Sequence, residues 1–341
     1  VIGMTTTEQL EEALSLPSAA DCEAMRGLDG DLLILGVGGK MGPSLAARAR
    51  RACDGAGVRQ RVIGVSRFGD AELRAGLERA GVKTIAADLL DRYALQALPD
   101  AANVIFMAGR KFGTQGGEHW TWVMNVLLPA LVAERFRGAR IVVFSSGNVY
   151  PLRKVTEGGA TEDVATDPVG EYAQTVRGRE RVFQYYAEQC GTASVLLRLN
   201  YAVELRYGVL VDIGRKVYEQ RPVDLTMGHV NVIWQGDANS VALRSFGLCA
   251  VPPAVLNVTG RETLAVRWIA GRFGKLFGMA PRLEGTETES ALLNDAGRCH
   301  GLFGPLEVSV EQAIEWTAEW IRAGGASLNK PTHFEARDGR F

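Results

Sequence analysis

Long apolar runs, paired cysteines, clustered histidines and an excess of either charge are all missing from this sequence, and each absence removes a class of function. No uninterrupted apolar stretch approaches the ~20 residues of a membrane helix, so no membrane partner is expected. Val1 to Leu16 is polar and acidic, without a basic start leading into an apolar segment, and no signal peptide is expected there. The five cysteines (Cys22, Cys53, Cys190, Cys249, Cys299) are odd in number and show no paired spacing, which points to a reduced, cytoplasmic setting. The four histidines (His119, His229, His300, His333) are scattered and show no metal-ligand spacing, so no metal is expected. A formal net charge of −1 suggests neither nucleic acid nor a membrane surface as partner. No internal repeat or low-complexity segment appears.

What is present is a chain of 341 residues, 47% hydrophobic, enough for one large α/β domain with or without a smaller lobe. Two short helices are expected in the first thirty or so residues, Thr7 to Ser15 and Ala19 to Arg26. From Asp31 strands and helices alternate. The strand candidates are Leu32–Gly36, Arg61–Val65, Lys83–Ala86, Asn103–Met107, Ile141–Ser145 and Ser194–Leu199, short and apolar as strands buried on both faces should be. Helices are expected at Pro43–Ala52, Asp70–Ala80, Trp120–Arg135 and Glu171–Gln189. The alternation predicts an α/β fold with a doubly wound parallel sheet. The division read from the sequence is a helical extension (1–30), a dinucleotide-binding domain (31–200), a substrate lobe interleaved with the core (201–330) and a polar surface tail (331–341).

The glycine loop Leu35-Gly36-Val37-Gly38-Gly39-Lys40-Met41-Gly42 follows the first strand and opens the first long helix. Glycine is needed there for the tight turn, for close approach to a pyrophosphate and for helix–sheet packing, and Pro43 suits the first helical turn. The second strand ends in Ser66-Arg67, where an acidic residue would bind a ribose diol. A hydroxyl and a cation favour NADP(H), with NAD(H) the second choice.

Two further stretches complete the pattern: Val142-Val143-Phe144-Ser145-Ser146-Gly147-Asn148-Val149-Tyr150 and Glu171-Tyr172-Ala173-Gln174-Thr175-Val176. Taken singly, Ser146 is a hydroxyl at a strand end and Tyr172 an aromatic at a helix start. Together with the glycine loop they resemble the extended short-chain dehydrogenases, the family of nucleotide-sugar epimerases, dehydratases and reductases. The resemblance covers Asp31 to Ala323. It implies a Rossmann-type sheet with a small C-terminal substrate lobe, a small-molecule substrate and a homodimer formed through the helices at Trp120 and Glu171. It also implies that Ser146 polarises the substrate oxygen while Tyr172 exchanges the proton. Asp88 and Leu89 match the adenine contact, and Met107, Ala108 and Gly109 the segment under the nicotinamide ribose. Lys40, Met41 and Leu199 join the cofactor set. Asn125 matches a helix asparagine that braces the active-site backbone, Asn200 the substrate-side crossing, and Glu180, Asp237 and Asn257 later family positions.

One member is missing. The family carries a lysine four residues after the tyrosine, and here that position is Val176. A free tyrosine has a pKa of about 10, so ionising it at neutral pH needs roughly 4 kcal/mol of favourable interaction, and valine supplies none. Arg177 points around the helix from Tyr172. Lys111, in the loop Gly109-Arg110-Lys111-Phe112-Gly113 after the fourth strand, is the expected relocated cation or substrate anchor. Asn148 stands where related dehydratases carry an acid, which disfavours a simple dehydratase. His119 is a candidate substrate contact or an ordinary helix-end hydrogen bonder. The loop cations Arg110, Lys111, Arg153 and Lys154 suit an acidic substrate, a sugar acid or a nucleotide diphosphate. The leading expectation is an NAD(P)-dependent oxidoreductase or epimerase acting on a sugar-like hydroxyl. The alternatives are a nucleotide-binding sensor or scaffold that has lost its chemistry, and a lyase or isomerase on the same fold.

Overall fold

A computed structural model describes residues 3–111, 113 and 116–340. Phe112 of the loop after the fourth strand and Phe341 of the tail lie outside the described residues. Seven strands form one sheet: Leu32–Leu35 (β1), Val62–Ser66 (β2), Lys83–Ala86 (β3), Asn103–Phe106 (β4), Arg140–Ser146 (β5), Ser194–Leu199 (β6) and Ala254–Val258 (β7). Their order is β7-β6-β5-β4-β1-β2-β3 and every pairing is parallel. This is the doubly wound, parallel α/β fold expected from the alternation, in the Rossmann-type order that the family resemblance implied. β1 reads Leu-Leu-Ile-Leu and is buried at all four positions because helices cover both faces of the sheet. Leu33 and Leu35 enter one apolar layer, with Phe106, Val132 and Phe183, while Ile34 enters the other with Leu45, Ala49 and Val241. The direction of winding reverses between β1 and β4, which opens a crevice at their carboxyl ends.

The helix after the glycine loop, Gly42–Ala56, lies against the N-terminal helices Thr7–Ser15 and Ala19–Arg26. Both of these start in capping boxes, Thr6 with Gln9 and Ser18 with Asp21. They act as packing elements. Leu10 and Leu14 enter the core of the C-terminal lobe, and Met25 and Leu28 enter the sheet's core. Asp21 is fully buried, where it pairs with Arg48 at 2.7 Å and accepts from Ser240 Oγ at 2.6 Å.

The lobe packs the helices Val209–Tyr218, Val266–Phe277 and Val310–Arg322 around Ile213, Phe273, Ile314 and Trp320. The tail lies only partly on the surface, where its polar composition placed the whole of it: Pro331, His333, Asp338 and Arg340 are exposed. Phe334 is 1% exposed within the lobe core, and Thr332 is buried with its hydroxyl donating to Asp212 at 2.6 Å. No helix among the described residues is long and apolar enough to cross a membrane.

Candidate active site

The crevice beside β1 and β4 is lined by Gly36, Gly38, Gly39, Ser66, Arg67, Asp88, Leu89, Met107, Ala108 and Gly109. Gly36 has φ +90, and a Cβ on it would stand 2.6 Å from the Ala108 backbone nitrogen, so no other residue fits. A Cβ on Gly42 would collide with the Val37 carbonyl, and its absence lets the helix start directly behind the loop. That helix has proline in its first turn and no side chain capping its N-terminus. Its leading N–H groups suit a pyrophosphate. Of the cofactor residues expected from the sequence, Lys40, Met41 and Leu199 stand instead in a neighbouring cavity.

That cavity collects Lys40, Lys111, Ser146, Asn148, Tyr172, Leu199, Asn200, Tyr201 and Tyr207. Ser146 ends β5, the strand beside β4, and Tyr172 stands in the first turn of the long helix Gly170–Cys190. Ser146 Oγ donates to Asn148 Oδ1 at 2.8 Å and accepts from the Asn148 backbone N–H at 3.2 Å. Burial pushes the Tyr172 phenol above the ordinary tyrosine value, while the Arg179 charge and a hydrogen bond with Ser146 pull it down. Asn200 is buried with its backbone oxygen accepting from Thr259 at 3.0 Å. His119 is exposed, its ring 5.8 Å from that of Trp120, and does not line the cavity.

Val176, where the family has lysine, is 1% exposed and packs with Val149, Tyr150, Ala160 and Tyr172. The position has become part of the seat that holds the helix on the Ser146 loop. The cation missed by the sequence reasoning is Arg179, seven residues after Tyr172 and on the same helical face. Side chains slant toward a helix's N-terminus, so a long arginine two turns on reaches back beneath the tyrosine. Arg179 donates to the Phe144 carbonyl at 2.6 Å and to Asn125 Oδ1 at 2.8 Å. It lies so close under Gly109 that a Cβ there would stand 2.5 Å from Nη2. The Tyr172-to-Arg179 spacing was available in the sequence, but the lysine position drew the reading to i+4.

Asn125 braces the site. Its Oδ1 accepts from the Arg110 backbone N–H at 2.9 Å, and its Nδ2 donates to the Arg110 carbonyl and to Thr175 Oγ1, each at 2.9 Å. Behind Ser146, Glu180 accepts from Ser145 Oγ at 2.6 Å and pairs with Arg198 at 2.7 Å. Arg198 in turn donates to Tyr150 Oη, which donates to Asn257 Oδ1.

Lys111 Nζ lies 5.7 Å from the centre of the Tyr172 ring, and burial pulls its pKa down to about 8. Lys40 Nζ sits 3.7 Å over the Tyr207 ring and donates to the Ala202 carbonyl at 3.3 Å, on the substrate side rather than beside Arg67. Burial lowers Lys40 to about 7 and outweighs the buried Glu204 carboxylate, which raises it. Two easily neutralised ammonium groups therefore share the cavity with Ser146 and Tyr172.

The fold is that of the Rossmann-type α/β enzymes, with the cavity of Ser146 and Tyr172 beside the glycine-loop crevice. The chain belongs to the NAD dependent epimerase/dehydratase family, whose model matches residues 32–203. Solved structures with the same fold include a variant of UDP-glucuronic acid 4-epimerase from Bacillus cereus, bound to UDP-4-deoxy-4-fluoro-glucuronic acid and NAD. It is 16% identical, with a TM-score of 0.71 over 86% of this chain and 99% of that one. UDP-glucose 4-epimerase from Thermotoga maritima is 15% identical, with a TM-score of 0.71 over 86% and 99%. UDP-glucose 4-epimerase from Thermus thermophilus, in complex with NAD, is 16% identical, with a TM-score of 0.70 over the same shares. A search of curated proteins found no match.

Proposed function

We propose that the protein is a nicotinamide-dependent epimerase or oxidoreductase acting on a secondary hydroxyl of an acidic, sugar-like substrate. The observation that carries this reading is the placement of Ser146, Tyr172 and Lys111 in one cavity beside the glycine-loop crevice. Nicotinamide, when bound, supplies the acceptor and donor of hydride. Tyr172 takes the hydroxyl proton as hydride leaves the same carbon and returns a proton when hydride comes back. Ser146, fixed by Asn148, holds the substrate oxygen. Lys111 and Arg179 supply the positive potential that Val176 does not, one from the cavity wall and the other from beneath. Glycine residues 36, 39 and 42, with Asp88, Leu89, Ala108 and Gly109, would hold the nucleotide.

Mass spectrometry of nucleotide released on denaturation tests the reading. NAD(P) retained in near-equal amount is expected of an epimerase, and an empty protein that binds the reduced nucleotide reversibly is expected of a dehydrogenase. Absence of binding in both forms removes redox chemistry. Tyr172→Phe is expected to lower kcat about a hundred- to ten-thousand-fold with nucleotide affinity unchanged. Lys111→Ala is expected to abolish turnover with the same silence on nucleotide affinity, and an unaffected rate would remove Lys111 from the reaction.

Two finer readings belong with this one. Ser66 and Arg67 at the end of β2 favour NADP(H) over NAD(H). The exposed aromatic and apolar side chains Trp120, Trp122 and Leu127 lie near the start of the Tyr172 helix and form the face through which a homodimer would assemble. Sedimentation or light scattering reads the mass directly.

A further inference from the structure

Beside the reacting cavity lies a second hollow, and Asn148 and Tyr201 line both. Three residues of the C-terminal tail, Ala336, Arg337 and Gly339, form one wall of it, and Thr332 lines the first cavity. The tail is held as a strap across the lobe side of the site. The Leu328 backbone N–H donates to the Arg206 carbonyl at 3.1 Å, and the Thr332 N–H to Asp212 at 2.8 Å. Phe334 is sunk in the lobe core. Gly339 lies on the backbone of Val169 and Gly170, at the very start of the Tyr172 helix, so closely that neither glycine has room for a side chain.

Arg337 is the charged group of this wall. Its guanidinium donates to Thr288 Oγ1 at 2.7 Å, to the Ser290 carbonyl at 2.6 Å and to Ser290 Oγ at 2.8 Å. These acceptors are all neutral, and no carboxylate pairs with it among the described residues. Other lobe arginines nearby are neutralised: Arg206 by Glu11 and Glu204, and Arg267 by Glu287. A guanidinium fixed at one edge by hydroxyls and a carbonyl keeps donors for an anion, and its flat fork matches a carboxylate.

We propose that the substrate is a free sugar acid, its carboxylate held by Arg337 beside Asn148 and Tyr201, and that the strap excludes nucleotide sugars. The inference rests on the sugar reading above and narrows it. The sugar ring would lie in the first cavity, with its reacting hydroxyl at Ser146 and Tyr172. A nucleoside diphosphate would have to leave that cavity on the lobe side, through the space that residues 332–339 fill.

Calorimetric titration of the protein saturated with its nicotinamide nucleotide decides this, with D-glucuronate, D-galacturonate, D-glucose and UDP-glucuronate as probes. One of the two free uronates is expected to bind, and D-glucose and UDP-glucuronate are not. Arg337→Gln keeps hydrogen-bond donors for Ser290 but removes the charge. It is expected to weaken the uronate about 10- to 100-fold at an unchanged melting temperature. Should that variant melt early, Arg337→Lys keeps the charge without the fork and is expected to bind with intermediate affinity. Tight UDP-glucuronate binding, or uronate binding indifferent to Arg337→Gln, overturns the inference and leaves the sugar reading standing. Failure of all four probes on a protein that holds its nucleotide overturns both.

Discussion

Arg179 is a buried charge that bears on the Tyr172 phenol. It is buried against Asn125, Phe144 and the Phe106 ring, and burial pulls its own pKa down while Tyr172 and Glu180 raise it. Its charge lowers the phenol's pKa, so removing it leaves desolvation opposed by the Ser146 hydrogen bond alone. Arg179→Met is therefore expected to move the pH–rate profile for substrate oxidation toward alkaline pH, because the ionised phenol is the proton acceptor. Arg179→Lys is expected to restore part of the shift, and a profile unchanged in Arg179→Met would make the residue purely structural. At the other end of the nucleotide crevice, Arg67→Ala is expected to weaken NADPH roughly tenfold, the loss of one charge-assisted contact, and to leave NADH unchanged. Fluorescence titration of both nucleotides measures the ratio. Ser146 and Tyr172 were legible because order along the chain survives when everything around it changes. Motif alone did not say where Lys40 and His119 would point. The direction of a long side chain depends on what stands opposite, here Tyr207 and Ala202 for Lys40, and Trp120 for His119.

At the scale of elements, the sheet was nearly transparent and the helices less so. Strands buried on both faces leave a run of apolar residues that needs no knowledge of the partner strand, so Ser194–Leu199 begins and ends as expected, as does the more exposed edge strand Lys83–Ala86. The expected helix Trp120–Arg135 is interrupted by a π-helical turn at Val123–Leu127, centred on Asn125. Such turns often mark functional sites. This one carries Asn125, whose side chain makes four hydrogen bonds to Arg110, Thr175 and Arg179. Those partners lie outside the helix, so its own periodicity holds no trace of the bulge. The Glu180–Arg198 pair joins the Tyr172 helix to β6 in a setting where both side chains are less than a tenth exposed. Arg198→Met would strand a buried carboxylate and is expected to cost about 3–5 kcal/mol, read from denaturant unfolding. Replacing both partners with apolar residues should cost less.

Across the whole molecule, the N-terminal helices tie the nucleotide half to the lobe. Asp21→Ala leaves Arg48 buried with only the half-exposed Glu307 as partner, and is expected to destabilise by about 3–5 kcal/mol, seen as a lowered melting temperature. The two cavity lysines give the protein a pH signature. Their folded pKa values, about 7 and about 8, lie below the free value of 10.5, so between these limits the unfolded chain binds more protons. Their contribution to stability therefore rises as pH climbs from about 7 to 10.5. Lys111→Met should flatten that rise in unfolding measurements made across this window. Affinity for an anionic substrate should run the opposite way and fall as the ammonium groups lose their protons between about 7 and 8.

The amino-acid sequence was sufficient for the sheet and the glycine loop, because burial periodicity and turn chemistry are local properties of a chain, and its motifs were sufficient for the resemblance to the family. The tertiary structure alone decided that the Arg179 charge acts on Tyr172, where Lys40 points and how the tail packs. Thr332 meets Asp212 across 120 residues of sequence, and Arg337 meets Ser290 across 47. Contacts at such separations depend on how the lobe folds back over the sheet. A polar segment whose hydroxyls and guanidinium find partners in the lobe therefore reads, residue by residue, like one that finds only water.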